Sequence, residues 1–180
     1  MRKLLVTEFM TLDGVIDSPM WSLKYWNDET SSFKAAETSN NEPLLLGRVT
    51  YAGFAEAWPQ RGNADGGEYF NGTRKYVVSN TLQKAEWNNS VIISGDVREQ
   101  IQKLKEEDGP NIMVHGSANL VQWLVKNNLV DGFRLLVYPI TLGTGNRLFT
   151  EASAATLNLV ESKTLSNGVL ALVYDVEPAK

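Results

Sequence analysis

The feature that most constrains the fold of this chain is a regular alternation of short apolar runs with longer helix-compatible runs. It covers the first two thirds of the sequence. Short β-rich or apolar runs of this kind, bounded by turn residues, are typical of buried strands. We predict strands over residues 3–10, 44–46, 75–78, 91–94 and 112–114. An Asp13-Gly14 turn directly follows the first of them.

The runs between these strands favour helices. Residues 25–38 are polar and helix-compatible. Asp96 is a good N-cap for a helix that continues to about residue 107, and Ser117 for a helix that continues to about residue 127. In the latter helix, Leu120, Val121, Leu124 and Val125 lie on one face.

The pattern changes after Phe133. We predict strands over residues 133–138, 157–163 and 169–176, with no long helix between them and a hairpin turn at Ser166-Asn167-Gly168. The whole pattern predicts a three-layer α/β fold, with a central mixed, mainly parallel sheet, helices on both faces and an antiparallel C-terminal hairpin. The loosest segment, residues 60–72, is predicted to be a surface loop and is too short to link domains, so we expect a single domain over residues 1–180.

Composition excludes several kinds of chemistry. The chain has no cysteine and one histidine, so thiolate nucleophiles, Cys-ligated metals and metal sites with two or more histidines are excluded, and we expect no metal centre. A Ser-His-Asp triad has no G-x-S-x-G motif to support it. A pI near 5.1 argues against nucleic-acid partners. Thr7 and Glu8 interrupt the apolar N-terminus, and no apolar run is long enough to span a membrane, so we expect a cytoplasmic protein.

Small and polar residues follow four of the predicted strands. In a doubly wound sheet, ligands bind outside the carboxyl ends of the strands, where Gly allows close approach, Arg offers a fork of donors and helix N-termini attract anions. Together these ends suit one extended dinucleotide. The four sets are Gly47-Arg48-Val49-Thr50, Ser79-Asn80-Thr81, Ser94-Gly95-Asp96, and His115-Gly116-Ser117-Ala118-Asn119.

Each set also has a structural interpretation when it is considered alone. Gly47-Arg48 is compatible with a simple strand-to-helix turn and a solvated arginine, and Ser79 with an ordinary turn. Ser117 is also compatible with a role as helix cap only, and His115 is compatible with packing against a backbone carbonyl. The G-x-G-x-x-G motif of Rossmann domains is absent, because Gly143-Thr144-Gly145 lacks the third glycine and the helix. A dinucleotide site in this chain is therefore of another design.

A series of motifs, in order along nearly the whole chain, resembles the dihydrofolate-reductase-like family that includes the C-terminal reductase domain of the bifunctional riboflavin-biosynthesis deaminase-reductase. These motifs are Thr11-Leu12-Asp13-Gly14, Leu46-Gly47-Arg48-Val49-Thr50-Tyr51, Lys75-Tyr76-Val77-Val78-Ser79-Asn80-Thr81-Leu82, Val114-His115-Gly116-Ser117-Ala118-Asn119-Leu120, Leu129-Val130-Asp131-Gly132-Phe133-Arg134-Leu135, Leu142-Gly143-Thr144-Gly145 and Leu148-Phe149.

This resemblance implies the dihydrofolate reductase fold, bound NADPH and a homodimer. It implies that Gly47, Arg48 and Thr50 hold phosphate, that Ser79, Asn80 and Thr81 lie at the adenosine ribose and its phosphate, and that Ser94 and Gly95 lie near adenine. It places Gly116, Ser117, Ala118, Asn119 and Leu120 along the pyrophosphate and His115 at the same turn, touching ribose or phosphate.

Two positions depart from the family pattern. Asn80 stands where relatives often have a basic residue that pairs with the 2′-phosphate, which weakens the expectation of NADPH over NADH. The carboxylate that anchors the pterin in true dihydrofolate reductases would lie at Ser31, and Asp28, one turn earlier, is the nearest substitute. Folate reduction is therefore disfavoured, and the Leu12-Asp13-Gly14 motif favours the riboflavin-type reductases.

The leading hypothesis is an NAD(P)H-dependent reductase that transfers hydride to a C=N or C=O bond of a small heterocycle, pterin-like or pyrimidine-like. Asp13 is the candidate for handling the proton or orienting the substrate, although Asp-Gly after a strand is also a common turn. Trp21 is a candidate for stacking on a flat ring, or for packing in the core. The alternatives are a non-catalytic NADP(H)- or heterocycle-binding homodimer and a purely structural homodimer.

Overall fold

The computed structural model describes residues 1–64 and 66–178. Its centre is an eight-stranded sheet with the strand order β4-β3-β2-β5-β1-β6-β8-β7. The strands are β1 (Leu4–Thr11), β2 (Leu44–Gly47), β3 (Lys75–Val78), β4 (Ser90–Ile93), β5 (Ile112–Val114), β6 (Gly132–Tyr138), β7 (Leu157–Thr164) and β8 (Leu170–Val176).

Five α-helices are described: α1 (Asp28–Ala35), α2 (Arg48–Arg61), α3 (Gly67–Gly72), α4 (Val97–Glu106) and α5 (Ala118–Lys126). Two 3₁₀ segments cover Pro19–Tyr25 and Glu151–Ser153. Within the described ranges, none of the helices has the length and apolar character that crossing a bilayer requires.

The sheet is mixed, as the sequence predicts. The strands from β4 to β6 pair in parallel, whereas β8 pairs antiparallel with both β6 and β7. The β7–β8 hairpin closes through Leu165, whose N–H donates to the carbonyl of Val169, and Gly168 adopts a φ of 82° in the turn. The predicted Ser166-Asn167-Gly168 turn is thus confirmed.

Alternation along the strands divides the core into two faces. On β1, Leu4 and Val6 pack into one apolar cluster while Leu5 packs against another. The first cluster contains Ile101 of α4 and the buried side of α5, whereas α2 covers the second cluster and Phe33 of α1 joins a third on that same face. The sheet therefore carries helices on both faces, which completes the three layers.

Two local predictions need correction. Ser117 stands at the N-cap of α5, but its side chain makes no capping hydrogen bond, whereas Asp96 does cap α4 by accepting from the Glu99 N–H. The segment 60–72 is not a loop throughout, because α3 forms within it and Phe70 stacks on Trp58 with ring centroids 3.9 Å apart. Position 65 of that segment lies outside the described residues, as do 179 and 180, and one domain over residues 1–180 stays a prediction.

Candidate functional site

A cleft of about 720 Å³ lies at the carboxyl ends of β2, β3, β4 and β5. This is the edge of the sheet where the sequence predicts a ligand. The cleft is lined by Gly47, Arg48, Val49, Val78, Asn80, Gly95, Asp96, Val97, Arg98, Ser117, Asn119, Leu120 and Trp123. Seven of the residues predicted to hold the cofactor are in this set: Gly47, Arg48, Asn80, Gly95, Ser117, Asn119 and Leu120.

The strand order explains why a cleft opens at this place. Neighbouring strands β2 and β5 are followed by α2 and α5, which pack on opposite faces of the sheet. The two connections leave in opposite directions, towards β3 and towards β6. Such a topological switch point leaves a crevice outside the strand ends, and both helix N-termini point into it.

Gly47 brings the two strand ends into close contact. Its N–H donates to the carbonyl of Gly116 at 3.1 Å. A Cβ at position 47 would lie 2.5 Å from Ser117 Oγ, closer than any side chain tolerates. Glycine is therefore needed here for the approach of two backbones, which keeps the floor of the cleft flat.

Two arginines supply the positive charge of the cleft. Arg48 starts α2 and Arg98 lies in the first turn of α4, and both are exposed. Neither guanidinium makes an ion pair or hydrogen bond with another described residue. Asp96 adds one carboxylate, which is occupied in part by capping α4. Arg98 belongs to none of the sequence motifs, since it lies two residues beyond the strand-end set Ser94-Gly95-Asp96. The available signal is a cation in the first turn of the helix after β4.

Asn80 lines the cleft and joins two strand ends, because its Oδ1 accepts from the Gly95 N–H at 3.3 Å. Its neighbour Ser79 is turned inward, and its Oγ accepts from the N–H groups of Thr81 and Leu82. Ser79 and Thr81 thus shape the turn that presents Asn80. Ser94 is exposed, and its carbonyl accepts from the side chain of Gln100.

Three further predicted cofactor residues lie outside the cleft lining. Ala118, the first residue of α5, is buried in the core. Thr50 lies in the first turn of α2, where its Oγ1 is 3.2 Å from the position a Cβ would take on Gly116. Gly116, with a φ of 92°, thus lies between Thr50 and Glu8 of β1, whose Oε1 is 3.1 Å from the same Cβ position.

His115 faces away from the cleft. Its ring lies 5.6 Å from Phe70 and 6.0 Å from Phe54, between α2 and α3. Its Nε2 is buried without a hydrogen-bond partner in the described part of the chain. Burial, with a smaller contribution from Lys34, holds the pKa of His115 well below its usual value, so the ring is neutral at physiological pH.

Asp13 makes contacts that favour a structural role over proton transfer. Its carboxylate accepts hydrogen bonds from Thr11 Oγ1 at 2.6 Å, Gly143 N at 2.7 Å and Leu142 N at 3.2 Å. These bonds, chiefly the one from Thr11, lower the pKa of Asp13 to about 2. An ionised carboxylate that fastens the loop after β1 to the loop after β6 does not donate a proton near neutral pH.

The three residues proposed for the substrate are not brought together as a polar pocket. Trp21 meets Tyr138 edge to face at 5.2 Å, and its Nε1 donates to the carbonyl of Asp17. Asp28 is exposed in the first turn of α1. The Ser31 hydroxyl donates back to the carbonyl of Asn27, which leaves it with a local role in the helix.

The structure instead reveals two carboxyl groups near β1 that the motifs did not identify. Glu37 is buried and is held by Lys34, Arg134 and the hydroxyl of Thr7. Glu8 is different, because its Oε1 is buried without a partner among the described residues. Burial raises the pKa of Glu8 to about 8. The only signal for Glu8 in the sequence is a charged residue inside the mainly apolar first strand.

This chain is similar to known proteins over nearly its whole length. A family model described as the RibD C-terminal domain matches residues 2–171. The chain belongs to this family. The protein YyaP of Bacillus subtilis (strain 168) is 26% identical to this chain over 178 residues, covering 96% of this chain and 94% of YyaP. YwjB of the same organism is 27% identical over 178 residues, with coverage of 93% and 95%.

Solved structures support the RibD C-terminal fold. A riboflavin-biosynthesis-like protein of Shewanella sp. PV-4 has a TM-score of 0.75 at 21% identity, covering 97% of this chain and 99% of that one. Dihydrofolate reductase from Enterococcus faecalis, complexed with NADP(H), has a TM-score of 0.60 at 16% identity, with coverage of 97% and 94%. The fold is therefore dihydrofolate-reductase-like, as the motifs indicate.

Metal ligands do not gather at any point in residues 1–64 and 66–178, where no three His, Asp or Glu side chains are placed to hold an ion together. The chemistry that the cleft itself offers is the binding of an extended anion, with two free guanidinium groups and two helix N-termini around a flat glycine floor.

Proposed function

We propose that this RibD C-terminal domain protein is an NADPH-dependent reductase that transfers hydride to a C=N or C=O bond of a small heterocycle, pterin-like or resembling a riboflavin-precursor aminopyrimidine. The observation that carries the proposal is the cleft across four consecutive parallel strand ends, with Arg48, Arg98 and Ser117 on its walls. Its length along the sheet suits a dinucleotide better than a single phosphate, since four strands span about 14 Å between the outer two.

The residues of the cleft fit NADPH by a test that does not depend on the motifs. A Cβ on Gly47 would collide with Ser117, so the floor is kept free for a close approach. The N-termini of α2 and α5, of fourteen and nine residues, face the same space as the free guanidinium of Arg48. These groups would hold the pyrophosphate, and Asn80 and Gly95 would flank the adenosine.

Arg98 supports NADPH over NADH. The family resemblance leaves Asn80 without the positive charge expected for the 2′-phosphate, but Arg98 lines the cleft beside Asn80 and Gly95 and has no other partner in the described residues. A guanidinium matches a phosphate monoester by a bidentate, charge-assisted bond. In this proposal Arg98 recognises the 2′-phosphate, and Arg48 the pyrophosphate.

The substrate is proposed to bind at the same edge of the sheet, beyond β5. Leu12 and Trp26 are large apolar side chains that remain 68% and 46% exposed there, and Trp26 packs against Phe9 of β1 at 6.1 Å. Exposed aromatic and aliphatic groups beside a polar cleft fit a flat ring with polar edges. The bound nicotinamide would supply the hydride, and the chain would supply binding, orientation and a proton.

Loss of NADPH absorbance in the presence of a panel of pterins, aminopyrimidine ribityl phosphates and quinonoid pterins tests the proposal. We expect at least one member of the panel to be reduced by wild type and not by the Gly47→Ala variant, whose cleft floor is displaced. NADPH binding without consumption across the panel would favour the non-catalytic alternative.

We include a homodimer in the proposal, on the family resemblance. Sedimentation equilibrium at micromolar concentration checks it directly. A mass of twice 20.0 kDa is expected, and a mass of one chain at the concentrations used for activity would contradict this part.

A further inference from the structure

Glu8 is the one carboxyl group near the cleft whose hydrogen-bonding capacity the described residues leave unused. Its Oε1 is buried and has no partner among them. An orphaned buried oxygen costs stability, so it calls for an explanation. The nearby Glu37 shows the contrast, because two cations and the Thr7 hydroxyl bind its carboxylate.

The register of the sheet places Glu8 next to the cleft. Pairing between β1 and β5 ends at Val6 and Val114, while β1 continues beside β6 as far as Thr11. Glu8 and Gly116 each lie two residues beyond that last pair, where β1 and β5 separate. Glu8 Oε1 is 3.1 Å from the position of a Cβ on Gly116, and the carbonyl of Gly116 accepts from Gly47 on the cleft floor.

Burial keeps Glu8 neutral at physiological pH. Burial raises its pKa to about 8, the carboxylate of Glu37 adds to the rise, and the ammonium of Lys34 opposes it. Lys34 belongs to α1, and Glu37 follows the end of that helix. Arg134 of β6 is engaged by Glu37, and His115, which follows β5, is itself held neutral by burial. A neutral carboxyl group is a proton donor, in contrast with the ionised Asp13.

We propose that Glu8 delivers the proton of the reduction. The inference rests on the proposed function, because a dinucleotide with its adenosine over β3 and β4 and its phosphates at β2 and β5 extends next towards β1, the following strand of the sheet. Glu8 stands at that strand, beside Gly116, at the point where β1 and β5 part.

In the proposed step, the hydride and the proton reach the two ends of the same substrate bond. The carbon of the substrate C=N or C=O bond accepts the hydride with its electron pair, and the nitrogen or oxygen accepts the proton of Glu8, so the O–H bond of the carboxyl group breaks. NADPH would supply the hydride, and the new Glu8 carboxylate would be stabilised by the positive charge of the oxidised cofactor. Glu8 then takes a proton from solvent, and the sum is one NADPH and one proton consumed for each substrate reduced.

This placement can be tested without knowing the substrate. A positive nicotinamide beside Glu8 favours the carboxylate, whereas a neutral dihydronicotinamide does not. Binding of NADP⁺ to wild type should therefore release a proton between pH 7 and 8. The affinity of wild type for NADP⁺ should also rise with pH, by about tenfold for each unit by which the bound ring lowers the pKa of Glu8. NADPH carries the same 2′-phosphate and serves as the reference ligand. Calorimetry in buffers of different ionisation enthalpy measures the proton count for each.

Two variants test whether Glu8 is the group that releases the proton. Glu8→Gln should abolish the difference in proton release between NADP⁺ and NADPH while it binds both. Glu161→Gln, which removes an exposed carboxylate of the edge strand β7, should retain the difference. Equal proton release by wild type and Glu8→Gln would overturn the role of Glu8 and leave the cofactor proposal intact. Failure of wild type to bind either nucleotide would overturn both. Infrared difference spectra of wild type against Glu8→Gln at pH 7 provide a second readout: a protonated carboxyl band is expected, and a carboxylate band would contradict the proposal.

Discussion

Gly47 and Ser117 lie closer together than any residue with a side chain at position 47 would allow. A Cβ there would stand 2.5 Å from Ser117 Oγ and 3.1 Å from the Ser117 backbone nitrogen. The Gly47 N–H donates to the carbonyl of Gly116, and this bond joins the chain ends of β2 and β5 beside the cleft, at the point where α2 and α5 diverge.

Replacing Gly47 by Ala should therefore weaken NADPH binding by at least about tenfold, because Ser117 or the end of β2 must shift, and a small displacement of a binding group has a large effect. The matched control is Gly53→Ala in the middle of α2, where an added Cβ meets nothing within 4 Å. This control should bind NADPH normally and be more stable by about 0.5–1 kcal/mol. Fluorescence titration and thermal unfolding check both variants, and equal affinities would contradict the geometry of the floor.

Arg98→Ala should remove most of the preference for NADPH over NADH. A charge-assisted bond to a phosphate is worth about 1.5–3 kcal/mol, so the NADPH dissociation constant should rise about 10- to 100-fold while that of NADH changes little. Arg48→Ala should weaken both nucleotides together, because the pyrophosphate is common to them. Arg61→Ala, which removes an arginine that stacks on Trp58, controls for the loss of positive charge. The reverse pattern, with Arg48 carrying the preference, would exchange the two assignments.

Asp13→Asn should lower the melting temperature at pH 7, because an amide cannot accept the hydrogen bonds of Thr11, Leu142 and Gly143 as the carboxylate does. The pKa of Asp13 is about 2, below its ordinary value of 3.8, so the stability it contributes is present above pH 3.8 and is lost as the pH falls through about 2. The difference between variant and wild type should shrink over that range. Asp28→Asn, at an exposed position, should melt close to wild type throughout.

Lys75 ties β3 to its neighbours although its side chain is fully buried. Its Nζ donates to the carbonyls of Asn71, Thr73 and Asn88. Lys75→Met should destabilise the fold by about 2–3 kcal/mol, since these carbonyls lose their donor. Lys84→Met, at an exposed lysine, should change the free energy of unfolding by less than about 0.5 kcal/mol. Denaturant unfolding measures both, and similar values for the two variants would contradict the account of Lys75.

The sequence predicts the fold and the edge of the sheet that carries the site, because apolar periodicity and strand-end glycines are local signals. The runs around Leu45 and Met113 are short and apolar, and both are central strands. Which polar side chains point into the cleft depends on tertiary contacts that no local signal carries. Ser79 and Ala118 belong to matching motifs but turn inward, whereas Arg98 reaches the cleft from outside any motif.

Proton chemistry is the least predictable part of the site, because it also depends on tertiary contacts that no local signal carries. Asp13 stands in a conspicuous Asp-Gly motif, and only the structure places Gly143, 130 residues away, against its carboxylate. Glu8 stands in a strand with no motif of its own, and its neutral state follows from burial beside Gly116. Desolvation raises the pKa of Glu8 and hydrogen bonds lower the pKa of Asp13, so only Glu8 holds a proton at pH 7.

The most direct measurement of the central claim is a titration of wild type with NADPH, followed by the fluorescence of the nicotinamide ring, with NADH titrated in parallel. The account predicts saturable binding of NADPH with a dissociation constant of tens of micromolar or tighter, a weaker constant for NADH, and loss of that difference in Arg98→Ala. Absence of NADPH binding by folded wild type at those concentrations would contradict the assignment of the cleft.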